Sequence, residues 1–116
     1  MNNQYLFDVV ELIADIPEYK ISVGMRGTII ECYPDDNYEI EFINDYGETI
    51  NSLSVHQRQF IVVWRSDTEE WVTIPEKVAN LVAKLPEDAG TEVLDFAKFI
   101  YWQRQRNDIS YIQQEK

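Results

Sequence analysis

The chain has 116 residues, 45% of them apolar, and its three Trp, seven Tyr and five Phe are enough for a compact core, which excludes disorder over the whole length. Twenty-one Asp and Glu outweigh ten Lys and Arg, and the formal charge of -11 repels phosphate backbones and anionic lipid surfaces. The single cysteine, Cys32, excludes an internal disulfide, is too few for a zinc site, and reads as a small core residue in a reducing compartment.

The acid is spread along the chain, with a net -7 over residues 1–65 and -4 over residues 66–116. Neither half has a basic patch, so the partner that the charge favours is a protein with a basic surface. The alternative is that the excess acid only keeps a small protein soluble. The stretch Met1-Asn2-Asn3-Gln4-Tyr5 lacks the regions of a signal peptide, and no apolar run has the length of a membrane span. The expectation is a cytoplasmic protein that does not engage a membrane.

In chain order, the β-branched content of Asp8 to Ala14 and the following Pro17 predict a first strand. Asp15 to Lys20 makes a loop, and Val23-Gly24-Met25-Arg26-Gly27 a glycine turn. Two alternating runs, Gly27 to Tyr33 and Tyr38 to Ile43, are separated by Pro34-Asp35-Asp36-Asn37 and predict a hairpin with Ile29, Tyr33, Ile40 and Phe42 facing the core. Asn44-Asp45-Tyr46-Gly47 predicts a type I turn ending in a left-handed glycine. Thr49 to Val55 is a fourth strand, His56 to Gln59 a single helical turn, and Phe60 to Trp64 a fifth strand. Five short strands within one small domain fit a closed or nearly closed barrel.

The pattern Leu6-x-Asp8-Val9-Val10-x-Leu12, then Val23-Gly24-Met25-Arg26-Gly27-Thr28-Ile29-Ile30-Glu31, then Tyr38-Glu39-Ile40-Glu41-Phe42 before Asp45-Tyr46-Gly47, resembles the bacterial family known as domain of unknown function 4926, over residues 6–63. The resemblance implies a small SH3-like barrel related in form to KOW and Tudor barrels. It also implies occurrence beside toxin-antitoxin-like gene pairs, and it supplies no catalytic residues. After Gly47 the sequence departs from the family pattern, with Asn51 and Ser52 in a stretch that is otherwise more aliphatic.

Residues 66–73 break the apolar pattern with charge and read as a linker after a barrel at 1–65. Thr73-Ile74-Pro75-Glu76 has capping-box spacing with an early proline, predicting a helix from Ile74 to Lys84 with Val78, Leu81, Val82 and Leu85 on its apolar face. Pro86-Glu87-Asp88 begins a second helix, and the two form a helical hairpin over 74–106, with a polar tail at 107–116 expected to fray. The segment Leu85-Pro86-Glu87, Glu92 to Phe96 and Phe99-Ile100 is similar to domain of unknown function 2281, a resemblance that implies an antitoxin-like role for residues 74–103. The expected fold is thus α+β: an N-terminal five-stranded SH3-like β-barrel followed by two C-terminal amphipathic helices.

No pattern spells out catalysis, so the chain reads as not an enzyme, with no cofactor and no metal. His56 is the sole histidine and no motif sets a serine or cysteine nucleophile beside it, and Asp35-Asp36-Asn37 lacks the glycine and terminal glutamate of a calcium loop. Glu39 and Glu41 share a strand face that is wet or binds a cation. The candidate binding residues are aromatic or aliphatic: Tyr38, Tyr46 and Trp64 on the barrel, and Phe96, Phe99, Ile100, Tyr101 and Trp102 on the second helix. The helix has more apolar surface than one neighbouring helix covers, so it packs on the barrel, forms an oligomer, or lies in another protein's groove. The leading expectation is a non-catalytic, acidic protein-binding module, antitoxin-like or accessory, that holds a basic partner such as a cognate toxin. One alternative is a KOW-like module contacting RNA or ribosomes through Lys20, Arg26, Arg58 and Arg65, and another is a structural homo-oligomer.

Overall fold

The computed structural model describes the backbone of residues 5–114 and side chains through residue 107. It is an α+β chain with one six-stranded antiparallel sheet and two C-terminal helices. The strands are β1 (Val9–Leu12), β2 (Arg26–Tyr33), β3 (Asn37–Ile43), β4 (Thr49–His56), β5 (Phe60–Arg65) and β6 (Glu70–Trp71), in the order β4-β3-β2-β1-β5-β6. One-turn 3₁₀ helices occupy Pro17–Tyr19 and Gln57–Gln59, and the helices are α1 (Ile74–Val82) and α2 (Glu87–Gln114). The chain divides into two compact units, Met1–Asn80 and Leu81–Lys116.

The two central turns form as their residues dictate. At the β3–β4 connection Gly47 takes φ 79° and donates to Asn44 O, while Asn44 Oδ1 accepts from the amides of Tyr46 and Glu48. Only glycine adopts that φ cheaply, and asparagine closes such turns through its own side chain. At the β2–β3 connection Asp35 and Asp36 both lie near φ 60°, and Asn37 Nδ2 donates to the Asp35 carbonyl.

The core is formed by alternate residues of the central strands: Val10 and Leu12, Ile29, Ile40 and Phe42, Leu53 and Val55, and Phe60. Ile29, Ile40 and Phe42 face inward as their alternation predicts, but Tyr33 does not. The β2–β3 register shifts between Ile29 and Glu31, leaving Ile30 as an extra residue, so the inward parity passes to Cys32, which is 4% exposed. A bulge of this kind inverts every later position of its strand, and it turns Tyr33 outward.

Gly27 answers to space rather than to backbone angle. A Cβ there would stand 2.6 Å from Ile40 Cγ2 and 2.8 Å from the Glu41 carbonyl oxygen, so β3 crosses where only hydrogen fits.

The strand count exceeds the expected five because the charged stretch after β5 conceals a hairpin. Ser66 to Glu69 turn the chain, with Glu69 at φ 56°, and Trp71 pairs with Trp64 while the Val72 amide donates to Val63 O. Periodicity cannot find a two-residue strand placed among turn residues. β5 itself is apolar on both faces: Phe60 and Val62 join the core, and Ile61 and Val63 are buried outside it, as is Val72.

One charged side chain is buried among the described residues, Asp8, at 4% exposure. Its Oδ1 accepts from the Ser66 amide at 2.8 Å and lies 3.0 Å from the Ser66 hydroxyl, which also donates to Leu6 O at 2.7 Å. Its backbone carbonyl accepts from Ile29. Asp8 therefore ties the start of β1 to β2 and to the end of β5.

Thr73 caps α1 as the spacing predicts. Its hydroxyl donates to Glu76 Oε1 at 3.1 Å and accepts from the Glu76 amide, and Arg65 reaches Glu76 Oε2 at 3.0 Å. These hydrogen bonds, Arg65 first, hold the Glu76 carboxyl below its usual range. After Pro86, α2 runs on through the expected tail: its backbone is helical to Gln114, and the side chains from 108 onward lie outside the described residues.

Substitutions at three positions test this account by urea denaturation. Gly27→Ala must move β3 backbone and is expected to cost about 1–3 kcal/mol. Asp8→Ala strands the Ser66 amide and is expected to cost about 1–3 kcal/mol, while Asp8→Asn, which keeps an acceptor oxygen, costs less. Thr73→Ala is expected to cost about 1 kcal/mol. Because the folded Glu76 carboxyl titrates lower than the unfolded one, its contribution is present above the ordinary glutamate range and fades as pH falls. Removing Glu76 should matter less in acid than at neutral pH.

Candidate protein-interaction surfaces

The barrel aromatics do not form one surface. Tyr38 is 5% exposed and stands edge-on to Tyr5 at 5.6 Å and Phe60 at 5.7 Å. It is a core residue and is closed to a partner, and burial first, then the charges of Tyr5 and Asp36, pushes its hydroxyl up. Trp64 is half-buried in β5 between Val9 and Trp71. Tyr46 tips the β3–β4 turn at 88% exposure. Strands β2 and β1 lie between β3 and β5 in the sheet, so Tyr46 and Trp64 belong to separate regions.

Two surface features were not legible from residue type alone. Arg26 Nε donates to Glu11 Oε1 at 3.1 Å, and its guanidinium lies 5.6 Å from the centre of the Trp71 ring, a cation–π contact that fixes an otherwise exposed indole. Near it, Met25, Arg26, Ile43, Asn44, Asp45 and Ile50 line a shallow depression in which Ile43 and Ile50 are each about half exposed. Ile43 follows the inward Phe42 by one residue, so the alternation of β3 faces it outward, while its meeting with Ile50 and Met25 depends on the folded sheet.

The polar clusters are occupied by structure. Glu39 accepts from the Tyr33 hydroxyl at 3.2 Å and from the Ser52 hydroxyl at 2.6 Å, so both of its oxygens are engaged. Partial burial first, then Glu39 and Glu31, pushes the Tyr33 hydroxyl up. His56 Nδ1 accepts from the Arg58 amide and caps the turn before β5, with Gln59 returning a bond to the His56 amide. The Cys32 thiol is pushed up by burial, then by Asp8 and Glu31, which makes it a poor nucleophile. Among the described residues no cluster of three or more His, Cys, Asp or Glu is arranged to hold a metal ion, and no helix is long and apolar enough to cross a membrane. Of the four cations named for a basic groove, Arg26 is paired with Glu11 and Arg65 with Glu76.

The five α2 residues stand together on one helix. Phe96, Phe99, Ile100, Tyr101 and Trp102 are 39–70% exposed, as is Leu94 at 54%. They do not make a single stripe. At 3.6 residues per turn, Leu94 and Tyr101 share one side, Phe99 and Trp102 a second, and Val93, Phe96, Ala97 and Ile100 a third. This part of α2 is apolar almost all the way round rather than amphipathic, which is the pattern of an enclosed helix. The Phe99 and Trp102 ring centres are 6.1 Å apart, and the Arg106 guanidinium lies 5.5 Å from the Trp102 ring.

No curated protein and no solved structure matches the chain. The similarity of residues 74–103 to domain of unknown function 2281 has no counterpart among these comparisons and stays an expectation. A family model described as Domain of unknown function (DUF4926) matches residues 6–62, the stretch from the lead into β1 to the middle of β5, and this segment is what the chain shares with the family.

Proposed function

We propose that the chain is a non-catalytic protein-binding module in which an SH3-like small barrel carries a helix that holds a more basic partner protein, as an antitoxin holds its toxin. The strand order β4-β3-β2-β1-β5, with a one-turn 3₁₀ helix between β4 and β5, supports the SH3-like reading. The observation that carries the functional reading is the apolar girth of α2 between Val93 and Trp102. Full burial of a large apolar side chain stabilises by about 1.5–3 kcal/mol. Apolar side chains of α2 that are 39–70% exposed offset the cost of association when a partner covers them. The formal charge of -11 favours a basic partner and speeds encounter.

The reading asks for nothing reactive. Neutralisation by burial works through complementary shape and charge, and the polar residues that resemble catalytic parts already have structural partners in the barrel.

The test is capture of the tagged chain from its native cells, followed by reconstitution with the purified partner. A basic protein is expected in stoichiometric amount, and Phe96→Asp with Ile100→Asp is expected to weaken its binding by about 30-fold or more. If that double variant binds undiminished while Ile43→Asp with Ile50→Asp releases the partner, the depression on the barrel is the binding element and the assignment to α2 is wrong.

A further inference from the structure

We propose that α2 also pairs antiparallel with α2 of a second copy of this chain, along the stripe Glu92, Asp95, Phe99, Trp102 and Arg106. This rests on the reading of α2 as the interaction element and assigns one of its three apolar sides.

The stripe repeats at alternating three- and four-residue spacings, the geometry of a helix-pairing seam. Its middle is aromatic, with Phe99 and Trp102 each about half exposed and their ring centres 6.1 Å apart. Its ends carry opposite charge. Glu92 lies seven residues before Phe99 and Arg106 seven after, so a two-fold axis through Phe99 sets Glu92 against Arg106 of the second copy. The same axis brings Asp95 toward Trp102 of the second copy, whose indole N–H is a donor that needs an acceptor. Phe99 packs on its own counterpart. A patch that complements itself under a two-fold axis is what an isologous dimer requires. Parallel pairing would instead stack Glu92 on Glu92 and Arg106 on Arg106.

The helix dipole does not account for this charge pattern. Its influence ends within the first and last turns, which covers Glu87 and Asp88 but not Glu92 or Asp95, and not Arg106, two turns before the helix ends at Gln114. The pairing leaves the Phe96 and Ile100 side and the Leu94 and Tyr101 side open, so a dimer and a bound partner are compatible.

The experiment is light scattering with size exclusion on the full chain over a concentration series, with Glu92→Arg, Arg106→Glu and the double reversal. The native chain is expected as a dimer. Each single reversal should raise the dimer Kd at least tenfold, and the double reversal should restore it, with helix content unchanged by far-UV circular dichroism. A monomeric native chain, single reversals that dimerise like the native chain, or a well-folded double reversal that stays monomeric would each overturn the proposal. A second arm is independent of charge. Phe99→Cys should cross-link to itself on mild oxidation while Glu92→Cys does not, the buried Cys32 staying out of reach. Self-cross-linking through Glu92→Cys would show parallel pairing and defeat the inference. A monomer that still captures its basic partner sinks the dimer alone and leaves the binding reading standing.

Discussion

The sheet depends on a buried carboxylate at a junction of three strands. Asp8 precedes β1, its backbone holds β2, and its side chain holds Ser66 at the far end of β5. A buried charge is costly unless hydrogen-bonded, and here the Ser66 amide donates to it, with the Ser66 hydroxyl 3.0 Å away. The bond spans 58 residues and so closes most of the domain in a single contact. The Ser66 hydroxyl adds a bond to the Leu6 carbonyl, and β6 and then α1 follow the end that Asp8 fixes.

The sequence made the punctuation of this fold legible and left parity obscure. Asn44 and Gly47, His56 to Gln59, and Thr73 with Glu76 act through bonds to their own neighbourhood, and local chemistry is what a single chain displays. Tyr33 and Cys32 show the limit. Both lie in an alternating run, and which of them enters the core is decided by the extra residue at Ile30, a property of the β2–β3 pairing. The sixth strand is hidden for a related reason, since Glu70 and Trp71 are a strand only because β5 offers them a partner.

The candidate surfaces divide along the same line. Tyr38 looks like Tyr46 in sequence, each beside an acidic turn, yet one packs against Phe60 and the other stands in solvent, because Tyr38 shares inward parity with Ile40 and Phe42. The α2 residues were legible because a helix needs no partner to set its faces. Their spacing alone states that they surround the helix, and each of the five is at least 39% exposed. The depression around Ile43 and the Arg26–Trp71 contact needed the folded sheet, because each joins residues from strands distant in the chain.

β4 is an eight-residue strand that pairs only with β3, so its outer backbone edge is unpaired within the sheet. Proteins commonly blunt such an edge with lysine or proline, and β4, reading Thr-Ile-Asn-Ser-Leu-Ser-Val-His, has neither. What guards it is long-range repulsion between copies, supplied by the overall negative charge. That defence is conditional on solvent. It vanishes near the isoelectric point of about 4.3 and weakens as salt shortens the Debye length, so colloidal behaviour in this chain is governed by acidity and ionic strength rather than by the shape of its sheet.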